Sequence, residues 1–440
     1  MRIAWFTPFA PKSAIGDFSE AVVAALSAGD DVTIYHPDTP EHGPPRISAL
    51  PCRTVPADPD GMFLESLAAY DLLVYNLGNY LAYHLPIYQT ALRRPGILIL
   101  HDLVMRGFFS QYFEHRRDAT GYASFLARSH GRAAEDYALD LQFGRTLETL
   151  DDPERLAHPL FQPALRGALG AIVHSQYARR RIETELALPV RTIDFPAFGP
   201  SLAVAPAEKK APAPGDQVKL LAFGVLNTNK LIRETVQAIA GNDLLRAVCR
   251  FDVVGRGTDA FEWDLNQLVA AEGLESVVHL HGWQSDERLR EFLTAADIAV
   301  NLRNPHLGES SAVLVTTLLA GLPTVVWDHG YYGEFPDDVV IKISAVDQIG
   351  PALARLVGDP ALRQSYRRTA KRHADEHFDT RRYCDHFRAF AGEILFHKPV
   401  LELIDRASAI LEELGAIETI DHLEAKISRL IAEITPNPGP

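Results

Sequence analysis

The 440-residue sequence has few of the features that mark several classes of protein. It contains only three cysteines, Cys52, Cys249 and Cys384, which lie far apart and show no CxxC spacing. This usage excludes a disulfide-stabilised scaffold and predicts reduced thiols in a cytoplasmic compartment. No apolar run approaches the roughly 18 residues of a membrane span, so we expect no transmembrane helix. The first residues, MRIAWFTPF, lack the layout of a signal peptide and are typical of an opening strand.

The sequence also lacks an excess of positive charge. Its formal net charge is −14, which argues against the basic face of a nucleic-acid-binding protein. A local anion site remains compatible with this charge, because one pocket needs only a few donors. Hydrophobic residues make up 47% of the chain and charged residues 23%, which is typical of a globular protein.

Familiar catalytic and metal-binding motifs are missing as well. The 17 histidines show no HExxH spacing, and no GxSxG elbow occurs. The aspartate pairs at 151–152 and 337–338 lack the layout of a Mg²⁺-binding pair at a strand end. We therefore predict no metal site and no metal cofactor.

Strand-like apolar runs alternate with helical patterns along most of the chain. Runs such as ILIL are apolar throughout, which suits parallel strands buried on both faces. The strand-like runs lie at 1–9, 31–37, 71–78, 96–103, 171–174, 218–226, 250–257, 277–283, 297–302, 323–327 and 340–343. This alternation predicts an α/β fold built from two doubly wound, Rossmann-like domains.

An Ala- and Pro-rich stretch divides the two series of strands. Residues 202–217 show no periodicity and are interpreted as an interdomain linker. We assign an N-terminal domain to 1–201 and a C-terminal domain to 218–379, with a cleft between their strand ends. A helix at 380–397 is expected to cross back to the N-terminal domain.

The last residues, 398–440, are predicted to form an extra helical hairpin. Their apolar positions include a series with the three–four spacing of an amphipathic helix: Ile420, Leu423, Ile427, Leu430 and Ile434. Two interpretations stay open, packing on the same chain or contact with a partner, such as a second copy in a homodimer.

Two glycine-containing loops are candidate parts of a nucleotide site. In FGVLNTNK (223–230), Gly224 ends a strand and Lys230 is expected to open a helix, an arrangement that favours anions. An ordinary loop with a surface lysine gives the same pattern. VVGRGTDA (253–260), with Gly255, lacks the acid of a dinucleotide fingerprint and is expected to edge a nucleotide pocket or form a plain turn.

His101 and Glu309 are the candidate residues nearest to the chemistry. His101 follows the buried strand LILHDL and could donate to a substrate hydroxyl, carry a proton, or be satisfied locally. Glu309 lies between a predicted strand and helix, with Ser310 or Ser311 as the helix cap. It is either a charge stabilised by the helix dipole or an acceptor for sugar hydroxyls. Arg303 at the strand end could pair with a diphosphate.

These motifs together resemble the GT-B glycosyltransferases of family 4, and most closely a bacterial GESS-type subgroup often found in surface polysaccharide clusters. The motifs are IGDFSE, HD, Gly224…Lys230, VVGRG, HLHGW, GESS and AGLPTVV, and the resemblance covers about residues 1–397. It implies retaining, metal-independent transfer of a hexose-type sugar from a nucleotide-diphospho-sugar to an acceptor hydroxyl. The implied acceptor is a saccharide, a lipid-linked molecule or a protein, and the implied location is the cytoplasm or the inner membrane face.

The resemblance implies that 1–201 is the acceptor-side domain and 218–379 the nucleotide-sugar domain. It also implies roles for individual residues. Lys230 would contact the donor diphosphate, Glu309 the sugar hydroxyls, and His101 the sugar or its reacting face. Gly16, expected in the loop after the first strand, would lie under the phosphates or the sugar. The distal phosphate would be held by backbone amides in the helix that follows Glu309: Ala312, Val313 and Leu314.

The sequence departs from the family pattern in three places, and one is that Glu309 lies one residue closer to Gly321 than in the common form. Val225 stands where the family usually has Arg or Lys, and Arg303 is the candidate replacement for that charge. Thr316 stands at the family's second glutamate, which commonly holds the ribose. Alternative functions are therefore another GT-B enzyme, such as a nucleotide-sugar epimerase or a phosphorylase, and a non-catalytic nucleotide-sugar binding or assembly protein.

Overall fold

The chain folds around two separate parallel sheets. The computed structural model describes residues 1–11, 13–38, 45–46, 48–145, 152, 154–197 and 217–413. The first unit draws its described residues from Met1–Leu147, Glu154–Ile193 and Arg381–Pro440, and the second from Glu148–Pro153 and Asp194–Thr380. The predicted linker at 202–217 lies outside the described residues except for residue 217. Residues 414–440, which hold most of the predicted C-terminal hairpin, also lie outside them.

The described residues of the first unit form a sheet of seven parallel strands. They are β1 (Arg2–Phe6), β2 (Asp31–Pro37), β3 (Cys52–Val55), β4 (Leu72–Leu77), β5 (Ile97–Leu100), β6 (Gly170–Val173) and β7 (Val190–Thr192). Their order across the sheet is β3-β2-β1-β4-β5-β6-β7. Every residue of β4 and β5 is buried, as expected for strands covered on both faces. The winding direction reverses between β1 and β4, where open α/β sheets commonly bind ligands.

Helices join these strands. They are α1 (Ala14–Leu26), α2 (Gly61–Ser66), α3 (Leu81–Arg93), α4 (Arg106–His115), α5 (Ala119–His130), α6 (Arg132–Gln142), α7 (Glu154–Ala157), α8 (Phe161–Ala164) and α9 (Gln176–Glu185). Helix α1 starts at Ala14 because Ser13 caps it, accepting a hydrogen bond from the Gly16 amide at 3.1 Å.

The second unit repeats the plan with six parallel strands in the order β10-β9-β8-β11-β12-β13. The strands are β8 (Val218–Phe223), β9 (Cys249–Val254), β10 (Val278–Leu280), β11 (Ile298–Asn301), β12 (Thr324–Trp327) and β13 (Ile341–Ile343). The helices are α10 (Ile232–Ala240), α11 (Asp243–Val248), α12 (Asp259–Ala271), α13 (Asp286–Ala295), α14 (Ala312–Leu319), α15 (Gly330–Gly333), α16 (Ile349–Gly358) and α17 (Pro360–His377). The predicted α/β class with two doubly wound sheets is confirmed.

The chain ends, within its described part, on α18 (Thr380–Glu413). We expected a helix end at 397, but the helix continues through Pro399. Its first half packs on the first unit: the Phe387 ring lies 5.6 Å from the Trp5 ring, and Arg388 donates to Asp30 at 2.8 Å. Within the described residues, no helix is both long and apolar enough to cross a membrane.

Candidate functional site

Three loops meet at the carboxyl edge of the second sheet. Gly224 follows β8, Gly255 follows β9 and Gly282 lies shortly after β10. The Gly255 amide donates to the Gly282 carbonyl at 2.8 Å. A Cβ on Gly255 would lie 2.0 Å from the Gly224 carbonyl oxygen, and the φ of Gly255 is +143°. Only glycine therefore fits at residue 255, where the backbone packs directly against the backbone of Gly224.

Lys230 is folded into the same edge. Its Nζ donates to the Phe223 carbonyl at 2.7 Å, and only 5% of the residue is exposed. A Cβ on Gly224 would lie 2.8 Å from Nζ and 3.4 Å from Val313 Cγ2, so Gly224 makes room for both the amine and the first turn of α14. Burial, helped by the positive charge of Arg303, lowers the pKa of Lys230 well below its ordinary value.

The expectation that Lys230 opens a helix needs correction. Thr228–Lys230 form a single 3-10 turn, and α10 begins only at Ile232. Leu231, between the two, has a left-handed φ of +52° and separates them. A left-handed leucine is rare, and the helical spacing of the following apolar residues gives no sign of it.

A second loop carries Arg303 and Glu309 to this edge. It is joined to the Lys230 turn because the Asn304 amide donates to the Asn229 carbonyl at 2.8 Å. Arg303 Nε lies 3.7 Å from Glu309 Oε1, and the Leu307 amide donates to Glu309 Oε2 at 2.6 Å. The carboxylate is thus held by its own loop and by a cation, and it does not cap α14.

Ser311, rather than Ser310, caps α14. Its hydroxyl accepts from the Leu314 amide at 3.1 Å and from Asn301 Nδ2 at 3.2 Å. The expectation that Leu314 offers its amide to a phosphate therefore needs correction, because that amide is already used by the cap. Within residues 217–413, no acceptor is described for the amides of Ala312 and Val313, which are the first two of the helix.

The departures at Val225 and Thr316 are both visible in the second unit. Val225 is 73% exposed and offers no charge beside Gly224. The Thr316 hydroxyl donates to the Ala312 carbonyl at 2.8 Å inside α14. Its donor is therefore engaged, and the hydroxyl oxygen can act towards other groups only as an acceptor.

Two buried aromatic residues support the loop and were not identified from the sequence. Burial raises the pKa of Tyr332, on α15, to about 12, and Arg303 and Glu309 are close enough to influence it. The His306 ring centroid lies 4.0 Å from that of His329, and His306 Nδ1 accepts from the Gly308 amide at 3.1 Å. The signal available for Tyr332 was the aromatic cluster DHGYYG, 328–333, directly after a buried strand.

His101, in the first unit, is held in one tautomer. Asn76 Nδ2 donates to the Phe6 carbonyl at 2.9 Å, so its Oδ1 accepts from His101 Nε2 at 3.0 Å. Burial, followed by the charges of His174 and His84, lowers the pKa of His101 well below its ordinary value. The ring is therefore neutral near neutral pH, and Nδ1 is its acceptor nitrogen.

Gly16 also belongs to the first unit, but not to a loop as expected. It lies in the first turn of α1, and its amide is engaged by Ser13. A Cβ on Gly16 would lie 2.8 Å from the Pro8 carbonyl and 3.2 Å from Arg46 Nε. Gly16 therefore permits close packing of α1 against the preceding loop, and its amide is not available to a phosphate.

The structure brings most of the predicted donor-binding residues together in the second unit, with His101 and Gly16 in the first. The residues brought together are Gly224, Lys230, Gly255, Arg303, Glu309, Ser311, Ala312, Val313, Leu314 and Thr316. Across the described residues, no group of three or more His, Cys, Asp or Glu could hold a metal ion.

Comparison with known proteins bears on the same region. Residues 205–373 match the family described as Glycosyl transferases group 1. No curated protein matches the chain significantly. The matched segment contains every candidate residue of the second unit.

Solved structures share the fold at low sequence identity. HepE from Anabaena, in complex with UDP, is 14% identical with a TM-score of 0.61, over 89% of this chain and 100% of HepE. Sucrose-phosphate synthase from Thermosynechococcus elongatus is 16% identical with a TM-score of 0.60, over 90% of this chain and 99% of the synthase. The described chain thus has the GT-B fold, and with the matched Glycosyl transferases group 1 domain this supports the prediction that it is a glycosyltransferase.

Proposed function

We propose that this protein transfers a hexose-type sugar from a nucleotide-diphospho-sugar to an acceptor hydroxyl, with retention of anomeric configuration. One observation carries the proposal. At Gly224, the amine of Lys230 meets the first turn of α14, and the adjoining loop adds Arg303 and Glu309. Cations and helix-start amides suit a diphosphate, and a carboxylate suits sugar hydroxyls.

Lys230 and Arg303 would stabilise the departing nucleoside diphosphate. Negative charge grows on that group as the bond to the sugar breaks, and cations already in place need no reorganisation to meet it. Arg303 would also replace the charge that Val225 does not supply. Because these groups cover the leaving-group charge, we propose that transfer needs no metal ion. A chelator should therefore leave donor turnover unchanged.

Glu309 would orient the donor sugar. Its Oε2 is held by the Leu307 amide and its Oε1 lies 3.7 Å from Arg303 Nε, so the carboxylate is positioned before substrate arrives. Neighbouring sugar hydroxyls can then donate to it. HepE has been seen with UDP and with UDP-glucose, which makes UDP-glucose the first donor to test.

The acceptor would be recognised in the first unit. Helices α4 and α5 carry an aromatic cluster in which the Phe109 and Phe125 rings lie 4.9 Å apart, and Arg116 lies 4.1 Å from the Tyr112 ring. We propose a saccharide, lipid-linked or protein acceptor used in surface polysaccharide or glycoconjugate synthesis. The enzyme would act in the cytoplasm, at the inner membrane face when the acceptor is lipid-linked.

Donor turnover in Lys230→Ala and Glu309→Gln tests the site. The assay measures nucleotide release from a panel of nucleotide-sugars, with NMR of the product to read its anomeric configuration. Each variant should lower turnover roughly 100-fold or more, as loss of one preorganised group commonly does. Lys219→Ala and Glu275→Gln change the same residue types elsewhere in this unit and should remain active. If both site variants remain folded and match the wild type, the proposed site is refuted.

The same assay separates the alternatives. An epimerase would convert the donor sugar with no acceptor present. A phosphorylase would form a sugar phosphate from a saccharide and inorganic phosphate, without a nucleotide. A non-catalytic binder would be stabilised by a donor in thermal unfolding yet show no turnover with any acceptor tested.

A further inference from the structure

Two polar side chains converge on Gly78 in the first unit. Gly78 directly follows β4, beside β1, where the winding direction of the sheet reverses. A Cβ built on Gly78 would lie 3.1 Å from His84 Nε2, 3.1 Å from Asp102 Oδ2 and 2.7 Å from Ile15 Cδ1. Two polar atoms and one apolar atom thus surround a single point at a place where such sheets bind ligands. We call His84, Asp102, Gly78 and Ile15 the Gly78 corner.

His84 presents a hydrogen-bond acceptor to this corner. Its Nδ1 lies 3.1 Å from the Asn76 carbonyl, which can only accept, so Nδ1 carries the proton. Burial lowers the pKa of His84 to about 3, so the ring is neutral near neutral pH and Nε2 has a lone pair. The residue is 1% exposed, and no donor to Nε2 is described among the residues that the structure covers. A nearly buried acceptor that faces this point can take a hydrogen bond from a ligand.

Asp102 offers a second oxygen in a fixed position. Its Oδ2 accepts from the Asn79 amide at 2.8 Å. Asn79 is itself held, because its Oδ1 accepts from the Phe108 amide at 2.8 Å. Burial raises the pKa of the Asp102 carboxyl, and the Asn79 amide opposes that change. Asp102 Oδ2 therefore faces the Gly78 corner and is held in place by these two hydrogen bonds.

The chemistry of the corner selects for hydroxyl donors. A neutral imidazole nitrogen and a carboxyl oxygen repel phosphate, so this is not another anion site. Ile15 gives the corner one apolar wall, and a saccharide presents hydroxyls beside C–H surface. Adjacent hydroxyls on one sugar ring could reach both polar atoms.

We infer that His84 and Asp102 form a recognition site for saccharide hydroxyls, one donating to His84 Nε2 and its neighbour to Asp102. The inference rests on the proposed function in taking the saccharide to be a substrate. That substrate is either the donor sugar or a saccharide acceptor. His84 and Asp102 are then specificity-determining residues in addition to the neighbouring His101.

NMR of the histidine ring nitrogens in the full-length protein tests this site. The His84 signals are assigned by their loss in His84→Gln. In one arm, UDP is compared with UDP-glucose; in the other, methyl α-D-glucopyranoside is added as a simple saccharide. A change in the Nε2 signal with UDP-glucose but not UDP assigns the site to the donor sugar. A change with the methyl glucoside assigns it to a saccharide acceptor.

Two variants and one internal control make the result decisive. Gly78→Ala puts a methyl group into the corner and should abolish the response. Asp102→Asn preserves the shape and should weaken it, which keeps the test valid if Gly78→Ala fails to fold. His36 is similarly buried and its Nδ1 lies 3.1 Å from the Pro37 carbonyl, so its signals should stay unchanged.

The inference is overturned if the wild-type His84 signal moves in neither arm, or moves as much in Gly78→Ala. Failure of the proposed function looks different. In that case UDP and UDP-glucose leave the thermal stability of the wild type unchanged, while the methyl glucoside arm still reports on the Gly78 corner.

Discussion

Lys230 has opposite consequences for stability and for the proposed activity. An ammonium group buried this deeply loses solvation, and the lowered pKa of Lys230 reflects that cost. The hydrogen bond to the Phe223 carbonyl compensates for only part of it. A buried cation that costs stability in the folded protein is typical of a functional site.

Lys230→Met should therefore stabilise the protein while abolishing its proposed activity. Methionine has a similar length and removes the buried charge, although the Phe223 carbonyl loses a partner worth about 1 kcal/mol. We expect a higher melting temperature and a loss of donor turnover of roughly 100- to 1,000-fold. Calorimetry and the nucleotide-release assay measure the two effects. A lower melting temperature would show that Lys230 serves the fold.

His306 should make the second unit sensitive to mild acid. Burial, with the nearby His329, lowers its pKa to about 4, whereas an unfolded histidine titrates near about 6.5. As the pH falls from 6.5 towards 4, His306 binds a proton in the unfolded chain but stays neutral in the folded chain. The free energy of unfolding therefore decreases in this pH range. Asp252, whose pKa is lowered below its ordinary 3.8 by Arg250 and His281 despite the opposing effect of burial, loses its contribution only at lower pH.

His306→Gln tests this assignment, since a glutamine oxygen can still accept from the Gly308 amide. Urea unfolding measured across the window should show a smaller loss of stability for the variant than for the wild type. Equal slopes in the two proteins would assign the acid sensitivity to other groups, such as the more deeply buried His84.

At the scale of elements, the sequence predicted which strands and helices are present better than it predicted where each begins and ends. Buried strands such as β4 and β12 were identified because a short, continuous apolar run is typical of a strand covered on both faces. The edge strand β3 was missed because three of its four residues are exposed, which leaves no apolar run to detect. The left-handed Leu231 was missed for a different reason: the apolar residues that follow it have helical spacing and give no sign of the turn before α10.

The start of α14 offers an element-scale prediction. Ser311 caps this helix and also accepts from Asn301 in the buried site, whereas Ser285 caps α13 through the Arg288 amide at 3.3 Å. Replacing either serine with alanine should cost about 1 kcal/mol of stability, because each leaves a helix amide without its partner. Only Ser311→Ala should also weaken the donor's stabilising effect in thermal unfolding. Equal donor effects in the two variants would count against a phosphate site at α14.

At the scale of the whole molecule, the sequence predicted two sheets but not their strand order. Order depends on which edges pair, and parallel strands far apart in sequence carry no local signal of their partners. The same holds for the site. The loop that carries Glu309 was predicted, but its hydrogen bond to the Lys230 turn joins residues far apart in sequence.

Helix α18 provides a test of how stability is distributed between the two units. Phe387 is fully buried against Trp5 in the first unit, whereas Phe396 on the same helix is 78% exposed. Phe387→Ala should cost about 3–5 kcal/mol, and Phe396→Ala should change stability by no more than about 0.5 kcal/mol. Because each sheet has its own core, the loss should be local: hydrogen exchange should accelerate in β1 and stay unchanged in β11. Faster exchange in both strands would instead show that the chain unfolds as one cooperative unit.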